Sequence, residues 1–467
     1  MTPNHKILIV AYPGQGHVNP ALRLASRLLK FDVDVSFATS LSVIQRMDKD
    51  KIPHCLTLAP FSDGHDNGKQ PNTTLLQFVT DFETNGVCAV AEIISSAAAA
   101  GKPFSHLVYT IVIPWAARVA NAQGLKSALL WCQTATILDI YYYYFNGYQS
   151  LISSNNDNPK FRINLPGLPP LMMADLPLFL LSSSPKEHDF LLEIVKDHLD
   201  VLKLGPRILV NTFNELEIES IRAIEKLELF PIGPLIPESS MGSEFFEKIE
   251  HDYIKWLDTK PENSVIYVSF GTLASLSMDQ QEEISNGLLE SGRPFLWVIR
   301  DTDQAGRLSK IEELKEQGMI VDWCSQVEVL SHQSIGCSVM HCGWNSTIEA
   351  LAAGVPVVAF PQWSDQAMNA KMIEDVWKTG VRMRKREVDG VVEGKEIDRC
   401  VEMVIENEEM KRNAKKWKGS AREALNDSES NLQSFPQRRV KLEGDKHNWG
   451  CNYSFCSINE VICTAPK

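Results

Sequence analysis

The chain has 467 residues, 44% of them hydrophobic and 22% charged, which is the composition of a globular protein large enough for two domains. Its formal net charge of −13 disfavours a surface that binds nucleic acid or an anionic membrane, so we expect neither as a partner. Ten cysteines without a C-x-x-C pair indicate reduced thiols rather than a disulfide framework or a zinc site. No apolar run is long enough to span a membrane, and we expect a cytoplasmic protein.

The N-terminal residues predict the start of a doubly wound α/β domain. Lys6–Ala11 is an apolar strand and Asp34–Thr39 is a second one. Between them, Ala21–Leu29 has the periodicity of a helix, with Asn19 as its cap. The intervening Gly14-x-Gly16 pair lacks the third glycine of the G-x-G-x-x-G dinucleotide fingerprint, so an NAD-dependent oxidoreductase is disfavoured.

The rest of the chain predicts two domains of similar kind. Ile208–Phe213 is a strand and Ile218–Leu227 a helix of the first domain, whereas Ser264–Phe270 is a buried strand of the second. After the last predicted strand, helices continue to about Leu425. We therefore predict the following divisions: an N-terminal domain at 1–235, an interdomain linker at 236–253, a C-terminal domain at 254–435 and an atypical tail at 436–467.

The stretch from Trp323 to Gln366 contains a strand–turn–helix–strand unit. Cys337–Met340 and Val355–Phe360 are short buried strands, and Thr347–Ala353 between them is a helix that Asn345 or Ser346 can cap. Such a unit directs free backbone N–H groups and the positive end of a helix at one point, which suits a phosphate.

This stretch closely resembles the signature box of plant UDP-dependent glycosyltransferases that glucosylate small metabolites. The resemblance extends over about 5–435 and implies a GT-B fold, in which two doubly wound, Rossmann-like α/β domains face each other across the active site. It also implies that the partners are a UDP-sugar and a small-molecule acceptor, with UDP-glucose as donor substrate, no cofactor and no metal, and we expect a monomer.

The resemblance assigns the donor-binding residues one by one. Uracil stacks on Trp323 and pairs with the backbone of Cys324; Gln326 and Glu349 hold the ribose hydroxyls; Thr272, His341, Asn345 and Ser346 lie at the diphosphate; and Trp344, Asp365 and Gln366 bind the sugar. A glutamine at the last position is associated in the family with glucose rather than galactose. Taken singly, Ser346 and Glu349 also form a helix capping box, and the tryptophans also suit a core.

His17 stands in the predicted loop after the first strand, where the active sites of open α/β sheets lie. Alone, it is equally well explained as an exposed loop residue. The family carries its catalytic base in a G-x-G-H-x-N-P motif, which here is Gly14 to Pro20, so the resemblance implies that His17 is the general base, with Gly16 beside the acceptor. The chemistry requires a base with a pKa near neutral and transfers the sugar with inversion.

Thr110 departs from the family pattern. Many members carry an aspartate there, which orients the histidine and stabilises its cation. A base without this partner is weakened toward alkyl alcohols, so we expect an acidic acceptor, either a phenol or a carboxylate. Thr110, Ala128–Trp131 and Tyr141–Phe145 resemble the subgroup of anthocyanin 5-O-glucosyltransferases and crocetin glucosyltransferases. The alternative hypothesis is a catalytically impaired protein that binds a nucleotide sugar or a metabolite.

Overall fold

A computed structural model describes residues 5–205, 207–237, 245–246, 252–272, 276–300 and 306–435. The predicted linker at 236–253 lies largely, and the predicted tail at 436–467 entirely, outside the described residues. No helix within the described ranges is both long and apolar enough to cross a membrane.

Strands and helices alternate along the described chain, as a doubly wound protein requires. The strands are β1 Lys6–Val10, β2 Asp34–Ser40, β3 Thr57–Phe61, β4 His106–Thr110, β5 Lys126–Trp131, β6 Arg162–Ile163, β7 Leu171–Met172, β8 Arg207–Val210, β9 Glu228–Pro231, β10 Val265–Ser269, β11 Phe295–Val298, β12 Met319–Val321, β13 Ile335–Met340, β14 Val357–Ala359 and β15 Gly380–Arg382. The helices are α1 Gln15–Leu29, α2 Leu41–Gln45, α3 Leu75–Ala99, α4 Trp115–Ala122, α5 Ala135–Tyr143, α6 Gln149–Ser153, α7 Asp189–Val201, α8 Asn214–Ala223, α9 Tyr253–Asp258, α10 Met278–Glu290, α11 Ile311–Gln317, α12 Gln326–Ser331, α13 Trp344–Ala353, α14 Gln366–Lys371, α15 Gly394–Glu406 and α16 Glu408–Ser434.

The N-terminal sheet has seven parallel strands in the order β3-β2-β1-β4-β5-β8-β9. Successive residues of β1 point to opposite faces, and both faces are covered: Ile7 and Ile9 belong to one apolar cluster, Leu8 and Val10 to another. The strand order reverses between β1 and β4, which pair in parallel with Val10 beside Tyr109. The carboxyl ends of these two strands therefore form a switch point, where doubly wound sheets bind their ligands.

The C-terminal sheet repeats this plan with six parallel strands in the order β12-β11-β10-β13-β14-β15. Its order reverses between β10 and β13, whose ends pair with Ser269 beside Met340. The predicted fold class, two doubly wound α/β domains, is confirmed.

Helix α16 connects the two sheets. It starts in the second domain, where Trp417 Nε1 donates to the carbonyl of Trp377 at 3.2 Å. At its other end, Asn431 Nδ2 donates to the carbonyl of Pro231 at the end of β9, and the Phe435 ring packs on Phe230. The prediction that helices end near Leu425 is wrong, because the last turns bury Leu432 against the first domain.

Two predicted helix starts are also wrong. Helix α1 begins at Gln15, since the carbonyl of Gly14 already accepts from the N–H groups of His17 and Val18, so His17 lies in the first helical turn and Asn19 is not a cap. Helix α8 begins at Asn214, ahead of the predicted Ile218.

Candidate active site

The two switch points lie against each other, and direct hydrogen bonds join them. Asn345 Nδ2 at the start of α13 donates to the carbonyl of Gly16 at 3.1 Å, beside the predicted base. Trp344 Nε1 donates to the carbonyl of Asn211, just past β8, at 2.7 Å. The predicted base and the predicted diphosphate turn therefore belong to one site.

The turn after β13 leads directly into the N-terminus of α13, where the first backbone N–H groups of the helix are exposed for a ligand. Cys342 is left-handed with φ +63°, and the extended Gly343 is the residue before the helix, so the predicted caps Asn345 and Ser346 are wrong. A side chain at Gly343 would place its Cβ 2.5 Å from His341 Nε2, and one at Gly271 would lie 2.7 Å from the same ring. The glycines thus let the His341 ring lie directly on both turns.

His341 is uncharged at neutral pH, because burial lowers its pKa to about 4. A hydrogen bond with the backbone of Ser269 opposes this lowering of the pKa only in part. Arg300 lies close enough for its charge to contribute to this lowering, and its Nη1 donates to the carbonyl of Thr272 at 3.2 Å. A neutral imidazole, a guanidinium and the N-terminus of α13 suit a diphosphate.

Three residues predicted to lie near the ribose and diphosphate are in direct contact. Gln326 Nε2 donates to Ser346 Oγ at 3.0 Å and to Glu349 Oε2 at 2.8 Å. The other carboxylate oxygen of Glu349 accepts from Arg23 Nη1 of α1 at 2.9 Å. The capping-box explanation of Glu349 is therefore wrong, because its partners lie outside its own helix turn.

Beside the predicted uracil position, Trp323 is half-buried and Cys324 is buried. The Tyr267 hydroxyl lies 3.5 Å from Cys324 Sγ and donates to Gln326 Oε1 at 3.4 Å. The Ser325 N–H donates to the Tyr253 hydroxyl at 3.1 Å, which holds this segment in place.

Near the predicted sugar position, the Gln366 side chain holds the loop that precedes it. Its Oε1 accepts from the N–H groups of Gln362 and Trp363 at 2.8 and 3.0 Å. Asp365 is buried, accepts from Asn369 Nδ2 at 2.7 Å, and has a raised pKa because of burial. The indole N–H of Trp344 already donates to Asn211, so any sugar contact at Trp344 falls to its backbone.

His17 has an environment that the sequence did not reveal. Burial lowers its pKa to about 4, so the expectation of a base with a near-neutral pKa is wrong. Its ring lies edge-on to Tyr12 at 5.1 Å between centroids, and its Nδ1 finds no partner in the part of the chain that the structure describes. Thr110 is fully buried and accepts from the Tyr12 N–H at 3.0 Å. Among the described residues, no carboxylate counters the loss of hydration, which is the physical cause of the low pKa.

Sequence reasoning missed His198 on α7. Its Nε2 accepts from the N–H of Val112 at 3.0 Å, and its ring stacks on Tyr109 at 5.9 Å. Val112 has φ +78°, an uncommon conformation for a β-branched residue, and the hydrogen bond that its N–H donates to His198 stabilises this conformation. Burial, followed by the positive charges of Arg118 and His17, lowers the pKa of His198 to about 3. Nothing in the local sequence pattern signals this contact.

Two doubly wound α/β domains, with the predicted base on one side and the predicted diphosphate turn on the other, have the architecture of a GT-B glycosyltransferase. The family model "UDP-glucoronosyl and UDP-glucosyl transferase" matches residues 205–419. Among curated proteins, the chain is 50% identical to UDP-glycosyltransferase 75C1 of Solanum lycopersicum, 47% to the chloroplastic crocetin glucosyltransferase of Gardenia jasminoides, and 45% to phloretin 4′-O-glucosyltransferase of Malus domestica. These alignments cover 92%, 93% and 95% of this chain and 97%, 97% and 99% of the relatives.

Among solved structures, Os79 from O. sativa in complex with UDP superposes with a TM-score of 0.82 at 29% identity, covering 92% of this chain and 99% of that one. The chain belongs to the UDP-dependent glycosyltransferases, and it is a glucosyltransferase of plant small metabolites that uses UDP-glucose. Within the described ranges, histidine, cysteine and carboxylate side chains form no cluster that suits a metal ion.

Proposed function

We propose that this enzyme transfers glucose from UDP-glucose, with inversion, to an acidic oxygen of its acceptor, either a phenolic hydroxyl or a carboxylate. The proposal rests on the low pKa of His17. This histidine is partly buried, its pKa is about 4, and it has no carboxylate partner in the described residues. Such an imidazole is neutral at pH 7 and free to accept a proton, but it is too weak a base for an alkyl alcohol. A phenol gives up its proton more easily, and a carboxylate has none to remove.

In the proposed reaction with a phenol, His17 takes the proton as the acceptor oxygen bonds to the anomeric carbon of glucose. The bond from that carbon to the diphosphate oxygen breaks on the opposite face, so the α-linked donor yields a β-glucoside and UDP. His341, the N-terminus of α13 and the hydroxyls of Thr272 and Ser346 stabilise the negative charge on the departing diphosphate. A carboxylate acceptor follows the same displacement without proton transfer and yields a glucose ester.

The remaining donor contacts are proposed from the family resemblance, and the hydrogen bond between Gln326 and Glu349 supports the ribose pair. We assign the ribose hydroxyls to Gln326 and Glu349, the uracil ring to Trp323 and the backbone of Cys324, and the sugar hydroxyls to Asp365 and the free amide N–H groups of Gln366. We also propose that no metal is needed, which predicts unchanged transfer in the presence of EDTA. The cytoplasmic monomer stays a prediction, which light scattering and cell fractionation would check.

The test compares three acceptor classes matched in size: an aryl alcohol, a phenol and an aromatic carboxylic acid. We expect the wild-type enzyme to glucosylate the phenol and the acid but not the alcohol, with products identified by mass spectrometry. In His17→Ala, transfer to the phenol should fall by about 10² to 10⁴-fold, the usual contribution of a general base. Transfer to the acid should fall far less.

Equal losses for phenol and acid would contradict the role of His17 as a base, and a wild-type preference for the alkyl alcohol would contradict the acidic acceptor. UDP binding without transfer to any acceptor would favour the impaired binding protein.

A further inference from the structure

Helix α1 joins the two halves of the active site through one buried side chain. His17 lies in its first turn, and Arg23 lies further along the same helix with 8% of its side chain exposed. Arg23 Nη1 donates both to the carbonyl of Leu235, at 2.8 Å, and to Glu349 Oε1, at 2.9 Å. Glu349 is equally buried and belongs to the second domain.

Stability alone is a weak reason for this ion pair. Removing two charges from water costs about as much as their attraction returns, so a buried pair is often no better than an apolar contact. The next turn of α1 already ties this helix to α16 without it: Arg27 donates to Ser428 Oγ of α16, and also to the carbonyls of Ile232 and Pro234 within the first domain.

The geometry of the carboxylate points to a ligand instead. A carboxylate offers about four lone-pair sites, two on each oxygen. Arg23 occupies one site on Oε1, and Gln326 Nε2 occupies one on Oε2 at 2.8 Å. Within the described residues, one site therefore remains on each oxygen. The 2′- and 3′-hydroxyls of a ribose are two adjacent donors that could each occupy one of these sites.

We propose that Arg23 is a positioning residue of the donor site: it holds Glu349 in the orientation that accepts the ribose diol of UDP-glucose. This inference rests on the proposed assignment of Glu349 to the ribose. Arg23 and His17 lie on the same helix, α1. Arg23 itself does not touch the donor.

The experiment measures the dissociation constants of UDP and of an analogue that lacks both ribose hydroxyls, 2′,3′-dideoxy-UDP, by calorimetry. The wild-type enzyme should bind UDP more tightly by about tenfold or more, the usual value of hydrogen bonds to a charged group. In Arg23→Met, UDP binding should weaken by about tenfold while the dideoxy analogue binds as before, so the discrimination collapses. Arg23→Lys, which keeps the positive charge, should retain part of the discrimination between UDP and the dideoxy analogue.

Arg27→Met is the matched control, because it removes the same charge from the same helix without touching Glu349. It should lower the melting temperature and keep the full discrimination. In steady-state kinetics, Arg23→Met should raise KM for UDP-glucose and leave KM for the acceptor unchanged. If Arg23→Met fails to fold, Arg23→Gln provides the same comparison, since it also removes the charge.

Two outcomes overturn the inference in different ways. If Arg23→Met weakens UDP and the dideoxy analogue equally, Arg23 is only a structural contact. If the wild-type enzyme itself does not distinguish the two nucleotides, the assignment of Glu349 to the ribose is wrong, and the role of Arg23 falls with it.

Discussion

Replacing Thr110 with aspartate tests why the base of this enzyme is weak. Thr110 is fully buried at the end of β4, and its hydroxyl accepts from the backbone N–H of Tyr12, whose ring lies on His17. An aspartate oxygen can accept the same bond. It would also bring a negative charge to the neighbourhood of His17 Nδ1, which lacks a partner within the described residues.

The magnitude follows from the pKa of His17, which burial lowers to about 4. An opposite charge within a few ångströms raises a histidine pKa by about one to three units, which places it at about 5 to 7 in Thr110→Asp. A base acts only when it is unprotonated, so the acidic limb of the pH–rate profile should move upward by the same interval. Transfer to an alkyl alcohol should rise by up to about tenfold per unit, since each unit is worth about 1.4 kcal/mol.

The assay is kcat/KM between pH 4 and 8 with a phenol and with an alkyl alcohol. Thr110→Asn is the control, because asparagine matches the size and hydrogen bonding of aspartate without its charge, and its acidic limb should stay at the wild-type position. Identical profiles for the two variants would refute the explanation of the low pKa, as would a wild-type limb already near pH 6.5.

Three further predictions concern other parts of the molecule. Asp139 is fully buried, and burial is the main cause that raises its pKa to about 9. The folded state therefore binds this proton more strongly than the unfolded state, so the free energy of unfolding falls as pH rises from about 4 to about 9. Asp139→Asn should remove up to about 1.4 kcal/mol per pH unit of this slope in urea titrations, and an unchanged slope contradicts the raised pKa of Asp139. Gly86→Ala places a Cβ 2.6 Å from Trp115 and should cost about 1–3 kcal/mol of stability. At Gly419 a Cβ would meet no atom of the described residues within 4 Å, so Gly419→Ala should stabilise by about 0.5–1 kcal/mol, and equal melting temperatures of the two variants would contradict this. Gln366→Glu keeps an oxygen that accepts from the N–H groups of Gln362 and Trp363 but has no N–H to donate to a sugar. The kcat/KM for UDP-glucose should therefore fall by about tenfold, with an unchanged dissociation constant for UDP. A weaker UDP affinity would show that the substitution acts on the nucleotide site rather than on the sugar.

Much of the fold was predictable because its signals are local. Lys6–Val10 and Val265–Ser269 are short apolar strands followed by helical periodicity, and this alternation already specifies parallel, doubly wound sheets. Helix boundaries were less predictable. Asn345 has the chemistry of a cap, but its amide donates to the carbonyl of Gly16 in the other domain, and no local pattern encodes such a partner.

The sequence by itself determined the class of enzyme, its donor and the candidates for base and box, because these residues lie in contiguous motifs whose spacing is fixed along the chain. Only the tertiary structure decided how they work together. Arg23 and Glu349 are 326 residues apart, and their pairing depends on how the two domains pack against each other. The pKa of His17 likewise depends on burial and on the lack of a carboxylate beside it among the described residues. The cost of charging a group is set by everything that surrounds it in space rather than by its neighbours in sequence.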